Sequence, residues 1–160
     1  MSGKTKENIL MGIIGVVFFL NMLLLNIPLV DGPFIEELIT VGWILLGIGA
    51  VFVLLSVFTL RRKGTSNVTE SGVYGVVRHP MYLGGMVMYL SHIFFGQNWI
   101  VLISTVVGVY CCYLLIQSED QKNIDKFGDD YKRYRGKVPG INFIIGVKRM
   151  LQRKRARACK

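Results

Sequence analysis

Charge is scarce in this chain, and acidic charge scarcest. Only 18% of the 160 residues are Asp, Glu, Lys or Arg, and 10 acidic side chains face 19 basic ones. Three cysteines and two histidines show no metal-ligand spacing, so no metal is expected. Cys111 and Cys112 are adjacent and cannot readily bridge each other, while Cys159 stands in a basic tail; that usage suits a reducing compartment. Because Cys159 is penultimate, the chain does not end in a prenylation box. There is no Walker phosphate loop, and no glycine-rich dinucleotide fingerprint follows a strand. Ser71 and Ser91 lack an elbow context or a triad. Ordinary hydrolase and kinase readings are therefore poor, and no internal repeat offers another.

What the chain does have is apolar sequence in long blocks. Hydrophobic residues make up 52% of it. Ile9–Val30 and Leu38–Leu60 are free of charge, and two shorter runs, Met81–Phe95 and Trp99–Ile116, follow. The pattern predicts an all-α, polytopic membrane protein with about four transmembrane helices at about 9–30, 35–60, 80–96 and 99–117. The length fits one domain over 1–160. Lys4 and Lys6 before an apolar stretch resemble a signal peptide, but the stretch is long and no small-x-small cleavage site follows, so a retained first helix is expected.

The basic residues orient the hairpins. Segments 1–8, 61–80 and 117–160 hold 2, 4 and 13 of the 19 Lys and Arg residues, and the opposite side holds none. Both termini are thus expected in the cytoplasm. The net charge of +9 then reflects orientation and anionic headgroups rather than nucleic acid. Asn67-Val68-Thr69 matches a glycosylation sequon, but its place on the cytoplasmic side makes it a chance match.

Local signals fill in the elements. Asn21, Asn26 and Pro28 suggest a bent exit from helix one, before the turn at Asp31-Gly32-Pro33. Gly42, Gly47 and Gly49 permit close helix packing in helix two. Pro80 suits the first turn of helix three, directing free N–H groups toward Arg78 and His79. That helix is short: fifteen apolar residues span roughly 22 Å, less than the roughly 30 Å hydrocarbon core. Arg78 and His79 are thereby drawn toward the membrane plane. His92, deeper in helix three, reads as a packing residue. Ile124, Phe127, Tyr131, Tyr134 and Val138 recur at three and four, predicting an amphipathic surface helix over about 119–137. Ile141–Leu151 is a weaker amphipathic stretch, and 148–160 is a basic tail suited to anionic lipid.

Polar groups at both feet of one hydrophobic hairpin mark a site. They are Arg78-His79-Pro80-Met81-Tyr82 before helix three and Glu119-Asp120 after helix four. Taken singly, His79 reads as an interfacial residue, Glu119 and Asp120 as the solvated start of a helix, and Tyr74, Tyr82, Tyr131 and Tyr134 as an aromatic belt.

Together they form an ordered set: Gly72-Val73-Tyr74, Arg78-His79-Pro80-Met81-Tyr82-Leu83-Gly84, Glu119-Asp120, Phe127-Gly128-Asp129-Asp130-Tyr131 and Tyr134-Arg135. Over roughly residues 40–140 this set resembles the small integral-membrane methyltransferases, which comprise isoprenylcysteine carboxyl methyltransferases and phospholipid N-methyltransferases. The resemblance implies S-adenosylmethionine as cofactor, bound at the cytoplasmic face by His79, Pro80, Tyr82, Leu83, Gly84, Glu119, Asp120 and Tyr131. It implies catalytic roles for Glu119, Arg78 and Arg135. The implied acceptor is hydrophobic or lipid-linked, a phospholipid amine or an isoprenylcysteine-type carboxylate reached from membrane lipids. Two positions depart from the family pattern: Asp120 stands where a second glutamate is usual, and Gly140 where a basic residue is frequent. A sterol-reductase-like oxidoreductase using NADPH and a non-catalytic scaffold of the same fold are the alternatives. The plasma membrane or the endoplasmic reticulum would house the protein, depending on its source.

Overall fold

The structure, a computed structural model, describes residues 3–24, 35–64 and 66–158. Asn26, Pro28, the Asp31-Gly32-Pro33 turn and Cys159 lie outside the described residues. Those described form six helices and no strand: α1 (Gly3–Leu24), α2 (Glu37–Lys63), α3 (Pro80–Gly96), α4 (Trp99–Phe127), α5 (Asp129–Lys137) and α6 (Phe143–Ala158), with a 3₁₀ turn at Gly72–Gly75. Helices α1, α2 and α4 are long and apolar enough to cross a membrane, and α3 is a shorter fourth. Their outward faces are apolar: Trp43, Leu54, Phe58, Trp99 and Ile103 are each more than 60% exposed. A water-soluble protein does not present such a surface.

Small residues set the α2–α3 seam. A Cβ on Gly84 would lie 2.6 Å from the Gly49 carbonyl oxygen, and one on Gly42 would strike the Phe95 ring. The two backbones therefore touch, antiparallel, as small-residue packing in lipid requires. Gln97, in the left-handed conformation (φ 43°), ends α3, and Asn98 caps α4 by accepting from Val101 N at 3.0 Å. The Gln97 amide also clasps Ile35, accepting from its N and donating to its O at 3.0 and 2.8 Å. That clasp ties the start of α2 to the α3–α4 turn.

Helix α1 packs antiparallel on α4, where Ser104 donates to Asn21 and Ser118 to Glu7. Phe18 meets the Tyr89 and His92 rings edge-on. His92 lies 2.9 Å from the Met88 carbonyl, consistent with the packing role expected for it.

Two boundaries differ from the sequence reading. No separate surface helix begins at Glu119, because α4 runs unbroken from Trp99 to Phe127. Nothing between Ile116 and Phe127 breaks a helix, so polarity changes while the backbone does not. The break falls at Gly128, whose φ of 56° suits glycine. The predicted stripe still comes together, with Tyr131, Tyr134 and Val138 packed on Ile124 and Phe127 across the bend. The second difference is α6, which continues through most of the basic tail.

Candidate functional site

Three chain segments meet at the end of the bundle where α2 stops and α3 begins. The first is the Arg78-His79 corner. Its backbone is pinned to the segment after α5: Arg78 N donates to Pro139 O at 2.9 Å and His79 N to Gly140 O at 3.1 Å. Pro80 then opens α3 with no N–H to satisfy. The second segment is the polar extension of α4, and the third is α5.

Asp120 is the hub that joins them. Arg78 Nη1 donates to both of its carboxylate oxygens, at 2.8 and 2.9 Å. His79 Nε2 lies 2.7 Å from Oδ1, and the Tyr131 hydroxyl donates to the same oxygen at 2.5 Å. A carboxylate only accepts, so Nε2 is the protonated ring nitrogen. All four side chains are nearly buried. Asp120 is thus spent on construction: it locks the α3 corner to α4 and α5.

Glu119, one residue earlier, points elsewhere. It borders a cavity of about 380 Å³ together with Arg78, His79, Met81, Tyr82 and Tyr131. The rest of the lining comes from Met11 on α1, Leu60 on α2, Asn67, Val68, Thr69 and Tyr74 from the connecting segment, Asn123, Lys126 and Phe127 on α4, and Tyr134 on α5. Lys122 lies 3.1 Å from Glu119 and also pairs with Glu7, so α1 is wired to the carboxylate that faces the cavity.

The aromatic wall is held by its hydroxyls. Tyr134 donates to Tyr74 O at 2.6 Å, and Tyr74 bonds Ser56 at 2.7 Å. Burial pushes the Tyr131 and Tyr134 phenols well above the ordinary tyrosine range, and at Tyr131 the bond to Asp120 adds to the rise. Burial also raises Tyr74, partly offset by its bond to Ser56. All three stay protonated at neutral pH, and Tyr131 and Tyr134 serve as donors.

Of the residues singled out from sequence, Arg78, His79, Tyr82, Glu119 and Tyr131 share this cavity. Asp120 and Pro80 stand behind it. Leu83 does not line it, and Gly84 faces α2 rather than a ligand, because its missing side chain is what lets the two helices touch. Arg135 opens onto a different cavity on the far side of Asp120. Sequence reasoning missed Asn123 and Lys126. Glu119, Asn123, Lys126 and Phe127 recur at helical spacing, and extending helix four would have exposed that face. Asn67 and Thr69, set aside as a chance sequon, carry no local signal for this role, nor does Met11.

A family model described as phospholipid methyltransferase matches residues 38–130, a stretch that runs from α2 to the first two residues of α5. No curated protein and no solved structure matches the chain.

Proposed function

The chain belongs to the phospholipid methyltransferase family, and on that premise we propose that it moves a methyl group from S-adenosylmethionine to a lipid-linked amine at the Glu119 cavity. The observation that carries this reading is one carboxylate, Glu119, facing an aromatic cavity whose opposite wall is fixed by the Arg78–His79–Asp120–Tyr131 cluster.

The residues present fit the cofactor. A volume of about 380 Å³ falls within the range of small-molecule sites. Flat rings at Tyr74, Tyr82 and Phe127 offer faces to a purine, and the Asn67 and Asn123 amides can both donate and accept. Glu119 suits a cationic group, and Lys126 with the first turn of α3 suits a carboxylate. When bound, S-adenosylmethionine supplies an electrophilic methyl group on a cationic sulfur.

The protein's part is positioning, exclusion of water and handling of one proton. Asp120 fixes the wall so that His79 and Tyr131 do not wander. Glu119 is the cavity's base for an ammonium acceptor, which must lose a proton before its lone pair can attack. The amine is better supported than a carboxylate acceptor: Arg78 Nη1 is committed to Asp120, and Arg135 lies outside the cavity. Both termini, the basic segments and the cavity are placed on the cytoplasmic side under this reading, as the lysine and arginine distribution implies.

The test uses purified protein in lipid nanodiscs with a labelled methyl donor and total membrane lipid. Label is expected in an amine-bearing lipid, and S-adenosylhomocysteine, not NADPH, should raise the melting temperature. Glu119→Gln should lower turnover at least about a hundredfold while the fold is kept. Full turnover by Glu119→Gln, or stabilisation by NADPH alone, rules the assignment out.

A further inference from the structure

A second cavity, of about 520 Å³, lies on the other face of the Arg78–Asp120 pair, between α4, α5 and the segment leading into α6. Its lining is mixed: Arg135, Gln117, Gln121 and Asn142 are polar, and Tyr113, Ile116 and Ile141 are apolar. Along α4 the change falls where the apolar run ends at Ile116 and Gln117 begins the polar extension. The cavity therefore straddles the level at which hydrocarbon gives way to headgroups.

Its charge is unbalanced. On α5, Lys132 pairs with Asp129 and Arg133 with Asp130, whereas Arg135 and Lys137 have no carboxylate partner among the described residues, and of these two only Arg135 lines this cavity. The carboxylate of Asp120 is already matched by Arg78. Arg135 is thus an unmatched guanidinium in the lining of an amphipathic cavity. Gly140 lines the cavity beside Arg78, where a Cβ would lie 3.4 Å from Nη2, so a larger side chain there would occupy cavity space.

We propose that this cavity binds a membrane lipid through its phosphate, with Arg135 and the glutamine amides on the phosphate and the acyl chains leaving past Tyr113 and Ile141. The Arg78–Asp120 pair walls it off from the Glu119 cavity. The lipid held here is consequently not a methyl acceptor; it braces the wall from behind. The inference does not depend on the proposed reaction.

Native mass spectrometry of the full chain in neutral detergent tests it, with dioctanoyl phosphatidic acid as the probe, a lipid with no amine to methylate. One copy should be retained, while dioctanoylglycerol should not be. Arg135→Gln should weaken retention about tenfold, the loss expected for one charge-assisted contact, and Gly140→Val should do so by filling the wall. Arg155→Gln, in the basic face of α6, should change nothing. Three results overturn the proposal: unchanged retention in both cavity variants, an equal loss in Arg155→Gln, or inorganic phosphate competing as well as the lipid, which would mean an adventitious ion only. S-adenosylhomocysteine stabilisation, measured on the same preparation, separates failure of this site from failure of the methyltransferase reading.

Discussion

Asp120 and Glu119 are neighbours in sequence with opposite assignments. Successive residues of a helix point about 100° apart, so one carboxylate turns into the protein and the other toward the cavity. The inward one is surrounded by a guanidinium, an imidazole and a phenol, and leaving such partners uncompensated is expensive. Asp120→Ala should therefore destabilise the protein by about 3–5 kcal/mol. Tyr131→Phe removes one bond to the same oxygen and should lose only about 1.5–3 kcal/mol. Thermal melts in one detergent check the order, and equal losses would mean that Asp120 is not the hub. From sequence, the acidic pair was legible as a pair, but the division of labour within it was not. It depends on which face of α4 meets α3, and that is set by packing rather than by local pattern.

At the scale of elements, Gly42, Gly49 and Gly84 act as spacers that let α2 and α3 touch behind the Arg78-His79 corner, whereas Gly47, expected to pack closely, and Gly85 face open space. A Gly84→Val substitution places its side chain against the Gly49 carbonyl and Val53. Overpacking of this kind is worth about 1–3 kcal/mol, and here it also pries the two helices apart. Lower thermal stability together with weaker S-adenosylhomocysteine binding is expected by calorimetry. Unchanged binding would show that the corner is held independently of the seam. The apolar runs made α2, α3 and the membrane half of α4 legible, since long charge-free stretches have one reading. The far half of α4 was not, because a change from apolar to polar composition looks like a helix boundary even where no residue breaks the helix. The true break needed only Gly128, which sits between two helical stripes and was read as part of one.

At the scale of the whole molecule, the four-helix reading puts every lysine and arginine in segments on one side of the membrane. In sealed vesicles, trypsin should remove the C-terminal part of α6, around Lys148–Arg155, only when the cytoplasmic face is outward. Cleavage from the other face would reverse the proposed orientation. Composition carries the membrane class of the chain. What it does not carry is the assembly of the cavity from five separated segments, including Met11 far upstream and the Asn67–Thr69 connector. Tertiary packing alone brings those together.

The unbroken course of α4 has one more consequence. The rod that crosses the hydrocarbon also carries both acidic side chains, whereas the corner they face rides on a much shorter helix. Thinner membranes tilt long helices more than short ones, so for the proposed methyl transfer acyl-chain length becomes an input, read out as the angle between two levers. Methyl transfer measured across vesicles differing only in chain length should peak at one thickness and fall on either side; a flat profile would mean that the two levers move as one.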